Sequence, residues 1–238
     1  MELQRPSPAH DPRLAALLRR GFFGRLPADV AATILADSPM AEYPRGTRIY
    51  LRRNGMGVAV VAAGLLRYYL TLRTTREITV RYAGPADMVG TVVPGDGGVS
   101  TGIQAVEPSA LLYIDTERLM RLAAQDARVA MALLAESTRR LRFAYRRLAA
   151  GYGASVRSRA ARDLLERAAA LGSPTPGLRL RVSQQELADA IGSVREVVAR
   201  VLRELRRERV IDTDRSGVTI LNFAALEAEA GLEIEDAG

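Results

Sequence analysis

The chain has 238 residues, 48% hydrophobic and 26% charged; that mixture builds folded cores, and the length suits two units at about 100–200 residues per domain. It contains no cysteine, which excludes disulfides, zinc fingers, thiolate-held iron–sulfur clusters and thiol nucleophiles. All 34 cationic side chains are arginine and the single histidine is His10, so Schiff-base chemistry is absent, no metal site is expected, and the net charge of +7 points to a polyanionic partner.

In chain order, residues 1–20 read as a leader: a proline-rich start, MELQRPSPAHDPR, then a short amphipathic helix in DPRLAALLRR. The start lacks an apolar h-region behind a basic n-region, so it does not read as a secretory signal. The longest apolar stretch, VAVVAAGLL at 58–66, falls far short of the roughly 18 residues that a spanning helix needs. No membrane span is expected, and the cytoplasm is the expected compartment.

From about 43 to 115 the pattern is short β-type runs broken by glycine and proline. Leu66, Tyr68, Leu70 and Leu72 alternate with Arg67, Tyr69, Thr71 and Arg73, the period of a strand with one buried face. After the turn-like TTRE at 74–77, Ile78, Val80 and Tyr82 alternate with Thr79 and Arg81, so the two runs predict a hairpin. Gly84-Pro85, Pro94-Gly95 and Gly97-Gly98 punctuate the next stretch of chain, at spacings that suit a small antiparallel barrel or roll.

Beyond Asp115 the texture becomes long helix. Ala127, Ala130, Leu134, Ser137, Leu141, Ala144 and Leu148 recur at alternating steps of three and four, the seam of a two-stranded coiled coil. Arg139, Arg140, Arg142, Arg146 and Arg147 make the other side cationic. The pattern predicts self-pairing, against the plainer alternative of a helix packed on its own β-domain. Gly151, Gly153 and Ser155 end this helix, another runs over about 156–171, and GSPTPG at 172–177 is a linker or tight loop.

Residues 182–210, VSQQELADAIGSVREVVARVLRELRRERV, are the most informative. Ser183 with Glu186 and Ser193 with Glu196 read as two capping boxes opening two helices, joined by a turn pivoting on Gly192: a helix-turn-helix. With Arg195 at zero and about 100° per residue, Arg206, Ala199, Arg203, Glu196, Arg207 and Arg200 fall within an arc of about 140°. Val197, Val201, Val194, Leu205 and Val198 fall between roughly 200° and 300°. One side is core and the other cationic, as a major-groove helix requires: arginine donates bidentately to guanine and glutamate accepts from cytosine. The runs 210–212 and 218–221 flank TDRSG at 213–217, a hairpin that would form a wing.

A β-roll, a long pairing helix and a winged helix-turn-helix, in that order, resemble the CRP/FNR superfamily of bacterial transcription regulators over nearly the whole chain. Supporting echoes are GFFGRLP at 21–27, YPRGTRIY at 43–50 and GPADMVG at 84–90. The resemblance implies an α+β chain: leader 1–20, a cyclic-nucleotide-binding-like β-roll over 21–125, a dimerisation helix over 126–152 and a winged helix-turn-helix over 153–238. It implies a homodimer that binds double-stranded DNA sequence-specifically, and not an enzyme. Arg195, Glu196 and Arg200 match the R-E-x-x-x-R pattern with which the cyclic-AMP receptor branch reads a TGTGA half-site. Gln184 at the start of the first helix would touch phosphate, and Ser193 and Arg203 complete the expected DNA-binding set.

The chain departs from the family at the effector pocket. The glutamate after the family's motif glycine, here Gly90, is replaced by Thr91; the arginine for the cyclic phosphate aligns with Val99, although Ser100 is retained. The adenine-contacting pair on the long helix aligns with Ala144 and Tyr145. Cyclic-AMP binding is therefore expected to be weak or absent, no cofactor is expected, and the cavity holds another small-molecule effector or is filled by side chains such as Tyr145. Haem would have only His10, tyrosine or methionine for ligands. Activation would need a surface for RNA polymerase, and no residues mark one. The rival reading is a ligand-binding or protein-interaction module whose helix-turn-helix no longer binds DNA, its basic helix shielded by the acidic tail of Glu227, Glu229, Glu233, Glu235 and Asp236.

Overall fold

The computed structural model describes residues 20–35, 38–51, 57–71, 77–91, 101–151, 153–172 and 174–231. The leader, His10, Val99, Ser100 and the acidic residues beyond 231 lie outside them. Two compact units form, Met1–Tyr68 with Ala83–Phe143, and Tyr69–Tyr82 with Ala144–Gly238.

The first unit opens with a 3₁₀ turn at Phe23–Arg25 and helix α1, Ala28–Leu35. Eight strands come next in the chain: β1 Met40–Tyr43, β2 Arg48–Ile49, β3 Gly57–Ala63, β4 Leu66–Thr71, β5 Glu77–Ala83, β6 Met88–Thr91, β7 Thr101–Ala105 and β8 Ser109–Ile114, of which β4 from Tyr69 on and β5 up to Tyr82 belong to the second unit. The eight form two sheets of order β1-β8-β3-β6 and β2-β7-β4-β5, the predicted roll with β4 beside β5 as predicted. The alternation does not mark the buried face, however: Thr79 and Tyr69 are buried while Ile78, Val80 and Leu70 are only half-buried, because both faces of this hairpin meet packed neighbours. Strand β3 is buried over most of its length because its VAVVAA run is apolar on both faces. Its pairing with β8 shifts between Val61 and Ala63, next to Gly64. That glycine sits at φ 88°, with a Cβ position 2.3 Å from the Pro108 carbonyl oxygen, so no other residue fits there.

Helix α2, Thr116–Gln125, is capped by Asp115, whose carboxylate accepts from the Arg118 amide at 3.0 Å. Helix α3, Ala127–Gly151, comes directly after it, and the boundary between units falls inside α3, between Phe143 and Ala144. Phe22, Phe23, Ile34, Val60, Met88, Leu112 and Leu119 form the core of this unit with Val129 and Ala132 of α3. Of the cationic side of α3, Arg139 and Arg140 pack on the roll, while Arg142 is exposed. Arg139 and Arg140 both bond the carboxylate of Glu136, which is 3% exposed, and Arg139 also reaches Asp87 at 2.9 Å. Burial raises the Glu136 pKa, and the two guanidiniums more than offset this and hold it below the usual carboxylate range. The seam faces away: Ala127, Ala130, Leu134, Ser137 and Leu141 are all exposed, with Leu134 at 58% and Leu141 at 52%.

In the second unit, helix α4, Val156–Leu171, is capped by Ser155 and closed by Gly172 in the left-handed conformation. Then come β9 Leu178–Leu180, α5 Gln184–Ile191, α6 Arg195–Arg207, β10 Ile211–Asp214, β11 Gly217–Ile220 and α7 Phe223–Ala230. The three strands make a sheet of order β10-β11-β9. Leu164, Leu187, Leu205, Ile211 and Ile220 are among the buried residues of one core shared by α4, α5, α6 and the wing. A buried charge network ties β5 to α4. Asp163, 1% exposed, accepts from the Tyr82 hydroxyl at 2.8 Å and from Arg167 Nε at 2.7 Å. The Arg167 guanidinium stacks over the Tyr82 ring at 4.6 Å.

Candidate nucleic-acid interface

Helix α5 begins as expected. The Ser183 hydroxyl accepts from the Glu186 amide at 3.1 Å and the Glu186 carboxylate accepts from the Ser183 amide at 2.8 Å, a complete capping box. Leu187, Ala188, Ala190 and Ile191 turn inward, which leaves Gln184 exposed at the first helical position. The helix ends at Gly192, φ 66°, whose amide bonds the Ala188 and Asp189 carbonyls, while the Ser193 amide donates to Ala188 at 2.9 Å. This is a Schellman ending.

The second expected capping box does not form. The N-cap of α6 is Val194, with no side-chain cap, and Glu196 is the second helical residue rather than the third. The amide of Ser193 is committed to closing α5, so the next helix starts one residue later than a serine cap would place it. The buried face is also rotated from the expected one. Val198, Val201, Leu202 and Leu205 are buried, an arc of about 240° to 340° on the scale that sets Arg195 at zero. Val194 is 52% exposed and Val197 half-buried. Leu202 belongs to the core although the arc drawn from valines and Leu205 left it out; valines in the first turn extend past the core that the later turns reach.

Arg195, Glu196, Arg200, Arg203, Arg206 and Arg207 are all exposed. Arg206 pairs with Asp212 of the wing at 3.1 Å, both side chains more than half exposed. Among the described residues, Arg195, Arg200 and Arg203 have no carboxylate partner, so their donors are free for a ligand. Burying the opposite face contributes about 1.5–3 kcal/mol per side chain, and it fixes this cationic face outward. The wing turn is held by Asp214, which accepts from the Ser216 amide at 2.7 Å and the Gly217 amide at 3.1 Å. Arg179 of β9 bonds both Asp214 and Ser216. Arg215, exposed at the tip of the wing, is a further cation outside the expected DNA-binding set, although its place in the TDRSG turn is visible in the sequence.

The acidic residues do not shield α6 where they are described. Glu229 is held by Arg157 of α4 at 2.6 Å, and the same guanidinium holds Glu208. In the first unit, Gly90 sits at φ 88° with its Cβ position 1.9 Å from the Gly57 carbonyl oxygen. Its amide donates to the Tyr68 hydroxyl at 2.6 Å, and its carbonyl accepts from Arg140 at 2.8 Å. Thr91 is exposed beside it. Tyr145 is 61% exposed. Among the described residues no cluster of His, Cys, Asp or Glu is placed to hold a metal ion, and no helix is long and apolar enough to cross a membrane.

A family model describing a Crp-like helix-turn-helix domain matches residues 158–229. The transcriptional regulator LdrP of Thermus thermophilus is 34% identical over 209 residues, covering 83% of this chain and 100% of the relative. The cyclic AMP receptor protein of the same organism is 31% identical over 187 residues, 78% of this chain and 85% of the relative. A solved structure of a CRP-family transcriptional regulator from Thermus thermophilus superposes with TM-score 0.65 at 29% identity, covering 80% of this chain and 96% of that one. A crp/fnr-family regulator from Eubacterium rectale superposes at TM-score 0.68 with 23% identity, covering 88% and 97%, a likeness of fold. The match over a complete relative, joined to the helix-turn-helix match, shows that this chain belongs to the CRP/FNR family of transcription regulators.

Proposed function

We propose that the chain is a homodimeric transcription regulator that reads a palindromic TGTGA-like site through α6 and is not controlled by cyclic AMP. The observation that carries this reading is the exposed, unpaired set Arg195, Arg200 and Arg203 on a helix whose opposite face is fully packed. Arg195 and Arg200 donate to guanine O6 and N7, and Glu196 accepts from cytosine N4. Arg203, Gln184 and Arg215 supply phosphate contacts that set the register. Ser193 contributes through the turn that aims α6, with its amide on Ala188.

Pairing through the exposed seam of α3 gives a two-fold dimer, whose recognition helices meet major grooves about one turn of DNA apart. Independence from cyclic AMP is supported at Gly90, where the amide and carbonyl are already taken by Tyr68 and Arg140. Thr91 and Val99 bring no charge to a ribose or a cyclic phosphate. A calorimetric titration is expected to give no cyclic-AMP binding in the micromolar range; micromolar affinity overturns this part.

Counterion release tests the DNA reading. For a protein that neutralises several phosphates, log affinity falls linearly with log salt, losing about 10³–10⁵ between 50 and 200 mM for six to ten contacts. Binding of the protein to its duplex is expected to show such a slope. A slope near zero would favour a module that contacts protein rather than DNA.

A further inference from the structure

The second unit contains a cavity of about 400 Å³ away from the face of α6. Its apolar wall is formed by Leu70 of β4, Ile78 and Val80 of β5, and Ile191 at the end of α5. Set into it are Thr79, Arg159 and Arg162. Thr79 is 0% exposed, and its hydroxyl has no hydrogen-bond partner among the described residues. The Arg159 Nε is likewise buried without one, although the same guanidinium donates to the Ala154 carbonyl at 2.9 Å. Buried polar groups are almost always satisfied, so an orphaned hydroxyl and an orphaned guanidinium donor on residues lining the same cavity mark a missing acceptor.

The charges around the cavity favour an anion. Asp163 also lines it, but one of its oxygens is bound by Tyr82 and the other by Arg167. Arg147 is bound by Glu166, whose carboxyl burial raises to about 7. Arg162 donates to the Ala230 carbonyl, and burial disfavours its charge, which an anion beside it would relieve. Arg159, whose one hydrogen bond among the described residues goes to the Ala154 carbonyl, has no carboxylate partner there.

We infer that this cavity binds a small amphipathic anion, its head accepting from Arg159 and the Thr79 hydroxyl and its apolar body packed on Leu70, Ile78, Val80 and Ile191. At the ~30 Å³ that a water-sized group occupies in a liquid, the volume holds roughly 13 non-hydrogen atoms. That is a chain or ring system carrying one carboxylate or phosphate, both of which match a guanidinium fork. The inference does not depend on DNA binding.

Isothermal titration of the full-length protein with octanoate, octyl phosphate and octan-1-ol tests it, since the three probes share a body and differ in the head. At least one anion is expected to bind at one per chain, and the alcohol at least tenfold more weakly. A preference for octanoate assigns a carboxylate head and a preference for octyl phosphate assigns a phosphate head. Arg159→Gln is expected to weaken the anion at least tenfold and leave the alcohol unchanged. The nearly isosteric Thr79→Val is expected to weaken the anion severalfold, which keeps the test decisive if the arginine variant does not fold. No binding of either anion at millimolar concentration overturns the inference, as does equal binding of alcohol and anion, or both folded variants retaining the anion affinity of the parent.

Discussion

Arg200 lies on the exposed arc of α6 with no carboxylate to occupy it, one turn beyond Glu196. A bidentate arginine–guanine pair discriminates against the wrong base by about 1–3 kcal/mol. Arg200→Ala is therefore expected to lower affinity for the intact site by that amount and to flatten discrimination at a single base pair, leaving the other positions unchanged. A series of duplexes mutated one base pair at a time measures this, and unchanged discrimination at every position contradicts the assigned role. Arg215 is different in kind: at the tip of a turn held by Asp214 and Arg179, it is suited to phosphate and carries no base preference.

At the scale of the element, α3 has two faces with different tasks. Val129, Ala132 and Glu136 are buried on the roll, and the cationic residues next to them are engaged by Glu136, Asp87 and the carbonyls of Met88 and Gly90. The seam carries Leu134 and Leu141 in the open, with Met131 and Tyr145, each 61% exposed, beside them. An apolar stripe of this period on an exposed helix face is what a coiled-coil partner covers. Leu141→Glu touches no core, so the fold is expected to be retained while a buried charge disfavours pairing. Sedimentation velocity is expected to show a monomer for this variant and a dimer for the parent; a dimeric variant with intact affinity rules out this seam as the interface.

For the whole molecule, local patterns were legible and long-range ones were not. Period-two alternation located strands β4 and β5 but not their buried face, since Thr79 is buried and Ile78 and Val80 only half-buried; the Ser183–Glu186 box was legible through a cap that needs only four residues. The Ser193–Glu196 pattern looked the same but failed, because the Ser193 amide is needed to close α5; the demand comes from the preceding helix and not from the motif. Helix α2 had its own signal in the Asp115 cap, masked by the longer helix behind it. The Tyr82–Asp163 bond joins residues 81 apart, and no spacing rule reaches so far. The effector region was legible only as a departure at Thr91, while the bonds that occupy Gly90 come from Tyr68 and Arg140 on other elements. Together, the packed core of the winged helix, the free arginines of α6 and the exposed seam of α3 make sequence-selective DNA binding the central claim. Fluorescence anisotropy of the purified protein on a TGTGA-N6-TCACA duplex and on a scrambled duplex, at physiological salt with no ligand added, tests it most directly. Selective binding to the palindrome by at least a hundredfold is the predicted result; equal, weak binding to both duplexes would contradict it.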